Sequence, residues 1–81
     1  MRTREKIYTR LCRCRKEKEK IQCYINELEN ANDAIMAKGS HQTKADRNER
    51  QNNTEEILYS QGRLIEIKEH ISFLRDLIGE A

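Results

Sequence analysis

The sequence lacks tryptophan and proline, and aromatic residues make up only 5% of it. A β-sheet domain requires β-branched and aromatic strands separated by turn residues, and no stretch of this chain has that pattern. The apolar runs are only a few residues long, whereas a membrane-spanning helix requires about 20. No segment resembles a signal peptide. The sequence therefore predicts neither a sheet domain nor a membrane protein.

The three cysteines and two histidines are also too few and too poorly spaced to hold a metal ion. On a helix Cys12 and Cys14 project about 200° apart, so they cannot bind one ion together. Cys23, His41 and His70 complete no ligand spacing. An odd number of cysteines is typical of a reducing compartment. We therefore expect free thiols, a cytoplasmic location and neither metal nor cofactor. Because no catalytic motif is present, we expect no enzyme activity.

Charged residues make up 37% of the chain, and apolar residues recur at heptad spacing, which together predict long helices packed along a narrow seam. The first helix is expected at about residues 3–38, before Gly39. Lys18 and Asn32 are polar members of its seam. The remaining seam residues, at the a and d positions of the heptads, are Ile7, Leu11, Cys14, Ile21, Ile25, Leu28 and Ile35.

A second heptad run begins after residue 53, where Asn53 and Glu56 have the spacing of a capping box. Thr43 with Asp46 has the spacing to cap an extension of this helix, although no apolar face would hold that extension down. We expect a polar loop at about residues 39–45 and a second helix at about 46–79, firmly held only from about 54. Its seam residues are Ile57, Ser60, Leu64, Ile67, Ile71, Leu74, Ile78 and Ala81.

Two such helices joined by a short link predict a single all-α domain over residues 1–81, an antiparallel two-helix coiled-coil hairpin. When each seam residue of the first helix lies opposite the residue of the second helix whose number adds to 85, five layers of the seam are apolar on both sides. A slide of one heptad gives four such layers and places Lys18 opposite Ser60. The pattern favours the first register but is degenerate by seven residues. One seam buries little, so we expect the hairpin to pair into a four-helix bundle or to receive another protein.

The second helix also carries apolar residues outside its seam, and these predict the surface that binds a partner. We expect a small interaction protein (an adaptor, an assembly chaperone or an inhibitor of a larger machine) whose partner is another protein, itself, or both. The candidate partner-binding residues are Leu58, Ile65, Phe73 and Leu77.

The alternative function is nucleic-acid binding by a basic ridge on the outer face of the first helix. Residues 1–20 carry a net charge of +6 and residues 21–81 a net charge of −4. Most ridges of this kind are ordinary solvated faces, but positive charge near a helix N-terminus opposes the helix dipole, which favours an anionic partner, either an acidic protein or a nucleic acid. The candidate anion-binding residues of the ridge are Arg2, Lys6, Arg13, Lys16 and Lys20.

Overall fold

The computed structural model describes the backbone of residues 2–79 and the side chains of residues 3–79. Helix α1 spans Arg2–Met36, a 3₁₀ turn spans Gly39–His41, and helix α2 spans Lys44–Leu77. The two helices pack along their length as an antiparallel hairpin, a rod of 61 × 18 × 15 Å. The predicted all-α hairpin is confirmed. The predicted seam residue Ala81 lies outside the described residues.

The connection between the helices, residues 37–43, has the predicted length but lies two residues earlier in the chain than the predicted 39–45. Helix α1 ends at Met36, two residues before the predicted end at Lys38, because Ala37 and Lys38 already form a turn. Gly39 then adopts a φ of 56°, a left-handed conformation that costs glycine little. The N–H of His41 donates to the carbonyl of Lys38 at 3.0 Å, which closes the turn.

Helix α2 begins at the earlier of the two capping boxes that the sequence offers, the one formed by Thr43 and Asp46. The Thr43 hydroxyl accepts from the Asp46 N–H at 3.0 Å, and the Asp46 carboxylate accepts from the Thr43 N–H at 3.0 Å. This hydrogen bond from the Thr43 backbone, with one from Lys38, lowers the pKa of Asp46. Asn53 therefore lies inside α2, which begins two residues before the predicted start at about residue 46, and the capping box satisfies two of the four free N–H groups of its first turn.

We expect Thr43→Ala to lower the free energy of unfolding by about 1 kcal/mol, because the first turn of α2 loses the hydroxyl that caps it. Urea denaturation followed by circular dichroism measures the change. Thr9→Ala is the matched control, since the Thr9 hydroxyl only donates to the Glu5 carbonyl within α1. Equal stabilities for the two variants would show that the capping box contributes nothing to the hairpin.

The core of the hairpin consists of two apolar clusters along the seam and of Ile35, which is buried nearer the loop. Near the chain termini Leu11 packs among residues of α2, with Ile7, Cys14 and Ile67 partly buried against the cluster; the buried members are Leu11, Ile71, Leu74 and Ile78. Towards the loop, Ile21, Ile25 and Leu64 form the second cluster. Ile67 contacts both clusters. Lys18, the polar member of the seam between them, is exposed.

Polar contacts near the loop define the register of the two helices. The Asn53 amide donates to the Asn32 side-chain oxygen at 3.1 Å, and the Asn32 amide donates to the Thr54 hydroxyl at 3.3 Å. The residue numbers of Asn32 and Asn53 sum to 85, as expected for the register with five apolar layers. In the slid register Asn32 would oppose Asp46 instead. The structure therefore selects the first of the two registers that the pattern allows.

Candidate interaction surfaces

Helix α2 presents large apolar side chains that the hairpin does not cover. The exposed fractions of the predicted partner-binding residues are Leu58 63%, Ile65 59%, Phe73 57% and Leu77 54%. Tyr59, at 67%, is similarly exposed but was not among the predicted residues. Such side chains lose little contact with water inside one hairpin, so they are available for burial against another surface.

These four residues do not form one surface. In an antiparallel hairpin the g positions of both helices flank the seam on one side and the e positions on the other. Phe73 occupies a c position and Leu77 a g position, whereas Leu58 and Ile65 occupy b positions, which adjoin e. We call the c/g side the groove face and the b/e side the opposite face. The candidate partner surface is thus divided between two sides of the rod.

Contacts between the helices confirm which residues share the groove face. Arg63 donates to the Glu17 carboxylate at 2.8 Å, and the Tyr24 hydroxyl donates to the Glu56 carboxylate at 3.4 Å. All four residues occupy g positions. Partial burial and the adjacent Glu56 carboxylate raise the pKa of Tyr24.

A groove of about 740 Å³ runs along the groove face at the end of the rod that carries both chain termini. Ile7 and Leu74 are the seam residues that line it, and Phe73 and Leu77 line its α2 side. The imidazole of His70 stacks on the Phe73 ring, with ring centroids 6.4 Å apart. The remaining lining residues come from α1, and three of them are cations. They are Thr3, Glu5, Lys6, Thr9, Arg10 and Arg13.

The groove brings part of the basic ridge next to part of the apolar surface. Lys6 and Arg13 of the ridge line the groove, whereas Lys16 and Lys20 lie further along α1, beside Tyr24. The side chain of Arg2 lies outside the described residues. Arg10 was not predicted for the site, although its g position next to the seam would have indicated it.

The unfavourable interaction between the cations at the start of α1 and the dipole of that helix is offset within the hairpin itself. The C-terminal end of α2, with its negative partial charge, lies beside the N-terminal segment of α1. Arg4 donates to the Ile78 carbonyl at 3.2 Å, and its guanidinium lies 5.8 Å from the centroid of the Tyr8 ring. Positive charge in this segment therefore has an intramolecular reason, and the dipole argument no longer favours an anionic partner.

Charge is nevertheless segregated along the rod. Residues 2–20 and 61–79, at the open end where the termini lie, hold twelve Lys or Arg and six Asp or Glu, a net charge of +6. Residues 21–60, at the loop end, hold four Lys or Arg and seven Asp or Glu, a net charge of −3. The two ends of the rod are therefore complementary in charge.

Neither a metal site nor a membrane-spanning helix is found in the described part of the chain. It contains no group of three or more His, Cys, Asp or Glu side chains that could hold a metal ion. Neither helix, within those residues, combines the length and the apolar character needed to cross a bilayer. Cys12 and Cys23 are exposed thiols, and Cys14 is half-buried against the first core cluster.

The chain matches no protein-family model, and no curated protein or solved structure shows significant similarity to it.

Proposed function

We propose that this hairpin is a small, non-enzymatic interaction protein that binds protein surfaces through the apolar side chains of α2 outside the seam. The observation that carries this proposal is the exposure of Leu58, Ile65, Phe73 and Leu77, each more than half accessible to water. Covering side chains of this size is favourable by about 25 cal/mol for each Å² of apolar surface removed from water. An adaptor, an assembly chaperone or an inhibitor would use the hairpin in this way.

We also propose that two hairpins pair into a four-helix bundle. The accessible surface of the chain is 6410 Å², whereas a compact monomer of its mass would expose about 5,100 Å². The radius of gyration, 17.9 Å, likewise exceeds the about 12 Å typical of a compact domain of this length. A single layer of two helices leaves one broad face on each side of the seam, and pairing buries one of them.

A rival function is nucleic-acid binding through the basic ridge, which the net charge of +6 at the open end favours. Its affinity would fall steeply with salt, because cations bound to phosphates release counterions. Apolar docking lacks this dependence. Arg13→Glu with Lys16→Glu reverses two ridge charges and separates the two functions: loss of activity in this variant alone, with wild-type binding that collapses as salt is raised, would favour nucleic acid.

Light scattering coupled to size-exclusion chromatography measures molar mass and so tests whether the apolar side chains of α2 mediate self-pairing. We expect the wild-type chain at micromolar concentration to have twice the monomer mass of 9.7 kDa. We expect Ile65→Glu with Phe73→Glu to be monomeric, because the variant places a charge on each face of the hairpin. The matched control is Asn52→Glu with Ser72→Glu, which also places one charge on each face, at exposed polar c and b positions of α2, and should remain dimeric. A wild-type chain of monomer mass with a cooperative melt would contradict self-pairing.

A further inference from the structure

We infer that two copies of this chain pair antiparallel through their groove faces, so that the cationic groove of each copy covers the acidic loop end of the other. This inference rests on the proposed self-pairing and adds the face and the orientation. The groove face, the opposite face and the two ends of the rod differ in charge and in apolar content, and these differences select one arrangement.

The open half of the groove face is cationic. Its c and g positions between residues 3–20 and 61–79 carry five cations and two carboxylates, a net charge of +3. Within the described residues only Arg63 of these cations forms an ion pair, with Glu17. The other four lie exposed along the groove and just beyond it: Lys6, Arg10, Arg13 and Lys20.

The loop half of the groove face is acidic. Its c and g positions carry the carboxylates of Glu27, Glu49 and Glu56 and one cation, Lys38, a net charge of −2. Lys38 is bound to Asp46 at 3.0 Å, so it does not offset those three carboxylates directly. Only Glu56 among the three has a described hydrogen bond, the one from Tyr24.

The opposite face lacks this segregation. Its b and e positions carry a net charge of +1 in the open half, from three cations and two carboxylates, and of zero in the loop half, from two of each. Only the groove face therefore has two halves of clearly opposite sign. Attraction between opposite charges orients two such faces before contact and penalises the wrong arrangement.

Antiparallel pairing satisfies these charges and parallel pairing does not. When two groove faces meet antiparallel, each +3 half lies over a −2 half; when they meet parallel, +3 lies over +3. A two-fold axis across the rod relates the copies, so the interface is the same patch on both and closes at two copies. Charge complementarity thus selects the orientation as well as the face.

The apolar side chains follow the same division. Phe73 and Leu77 lie in the open half of the groove face, and Tyr24 and Tyr59 lie in its loop half, 42% and 67% exposed. Antiparallel pairing brings the first pair of one copy over the second pair of the other. The face measures 61 by 18 Å, about 1,100 Å² in projection, and a standard interface buries about 800 Å² on each partner.

Two single substitutions identify the pairing face. Phe73 and Ile65 are 57% and 59% exposed, so their replacement by Glu removes similar apolar area from different faces. We expect Phe73→Glu to halve the mass measured by light scattering and Ile65→Glu to leave it at that of the wild type. The reverse result would place pairing on the opposite face and overturn the inference while leaving the proposed self-pairing intact. A monomeric wild type would overturn both.

Charge-reversed variants test complementarity and control for misfolding. Arg10→Glu with Arg13→Glu makes the open half acidic, and Glu27→Lys with Glu49→Lys makes the loop half basic. We expect each variant to be monomeric alone at low salt, because like charges then face each other. Mixed in equal amounts, they should form a heterodimer, which two misfolded chains would not do. Two variants that each remain dimeric alone would overturn the role of charge.

A distance measurement tests the orientation. A spin label at Ser40→Cys, at the loop end, is introduced into a chain with Cys12→Ser, Cys14→Ala and Cys23→Ser. In the antiparallel dimer the two labels lie at opposite ends of the paired rods. We therefore expect pulsed electron paramagnetic resonance to measure a separation near the rod length of 61 Å. Two labels within the width of two rods, each 18 Å across, would show parallel pairing and overturn the inference.

Discussion

Leu11→Ala is expected to lower the free energy of unfolding by about 3 kcal/mol, a large fraction of the total for a marginally stable chain of this size. Leu11 is 0% exposed and lies among Ile71 and Leu74 of α2 and Ile78, which directly follows that helix. Truncation removes its apolar contacts and leaves a cavity, because the side chains around it are held by a rigid helix and close only part of the space.

Urea denaturation at one fixed protein concentration measures this loss, since self-pairing would make stability depend on concentration. Leu58→Ala is the matched control: the same atoms are removed from a side chain that is 63% exposed, so the change should stay within about 0.5 kcal/mol. Similar losses for the two variants would mean that the first core cluster does not hold the hairpin together.

Lys18→Leu is expected to stabilise the hairpin by about 1.5 kcal/mol and to raise the melting temperature by about 6–12 °C. Lys18 occupies a seam position between the two core clusters, at the level of Ile67 in the observed register. Within residues 3–79 its ammonium makes no hydrogen bond or ion pair, and the side chain is exposed. A leucine there would pack against half-buried Ile67 and join the two clusters into one core.

Thermal unfolding followed by circular dichroism checks this gain. Lys16→Leu is the control, because Lys16 is an exposed f-position residue on the same helix and its replacement adds no seam contact. An unchanged or lower melting temperature for Lys18→Leu would show that the lysine itself stabilises the assembled state. A polar a residue often specifies register or oligomeric state at the expense of stability, so the mass of the variant should be measured alongside its melt.

The helices and the seam were predictable because heptad spacing depends on the order of residues alone. The residue at which α2 starts was determined only to within a few positions of the predicted residue 46, since Asn53 with Glu56 and Thr43 with Asp46 both have capping-box character. The structure uses Thr43 and Asp46, and the polar segment that follows is held by side-chain contacts to α1. One such contact is the hydrogen bond between Asn32 and Asn53. The spacing of apolar residues along one helix cannot reveal it.

The interaction surfaces were predictable in part. Composition and spacing identified Leu58, Ile65, Phe73 and Leu77 as apolar residues outside the seam, and the structure leaves them exposed. Their heptad letters already indicated two different sides, because b positions lie on the e side of the helix and c positions on the g side. The meeting of Phe73 with Lys6 and Arg13 in one groove was not predictable, since it depends on which residue of α1 lies beside each residue of α2.

The sequence by itself determined the helical class, the antiparallel hairpin and the segregation of charge, because each depends on residue type and on spacing within one helix. Only the tertiary structure decided the register, the capped start of α2 and the division of the apolar residues between two faces. The seam repeats every seven residues, so its apolar contacts are nearly as good after a slide of one heptad. Non-repeating contacts, such as Asn32 with Asn53 and Arg4 with the Ile78 carbonyl, distinguish the alternatives, and they exist only once the helices are placed side by side.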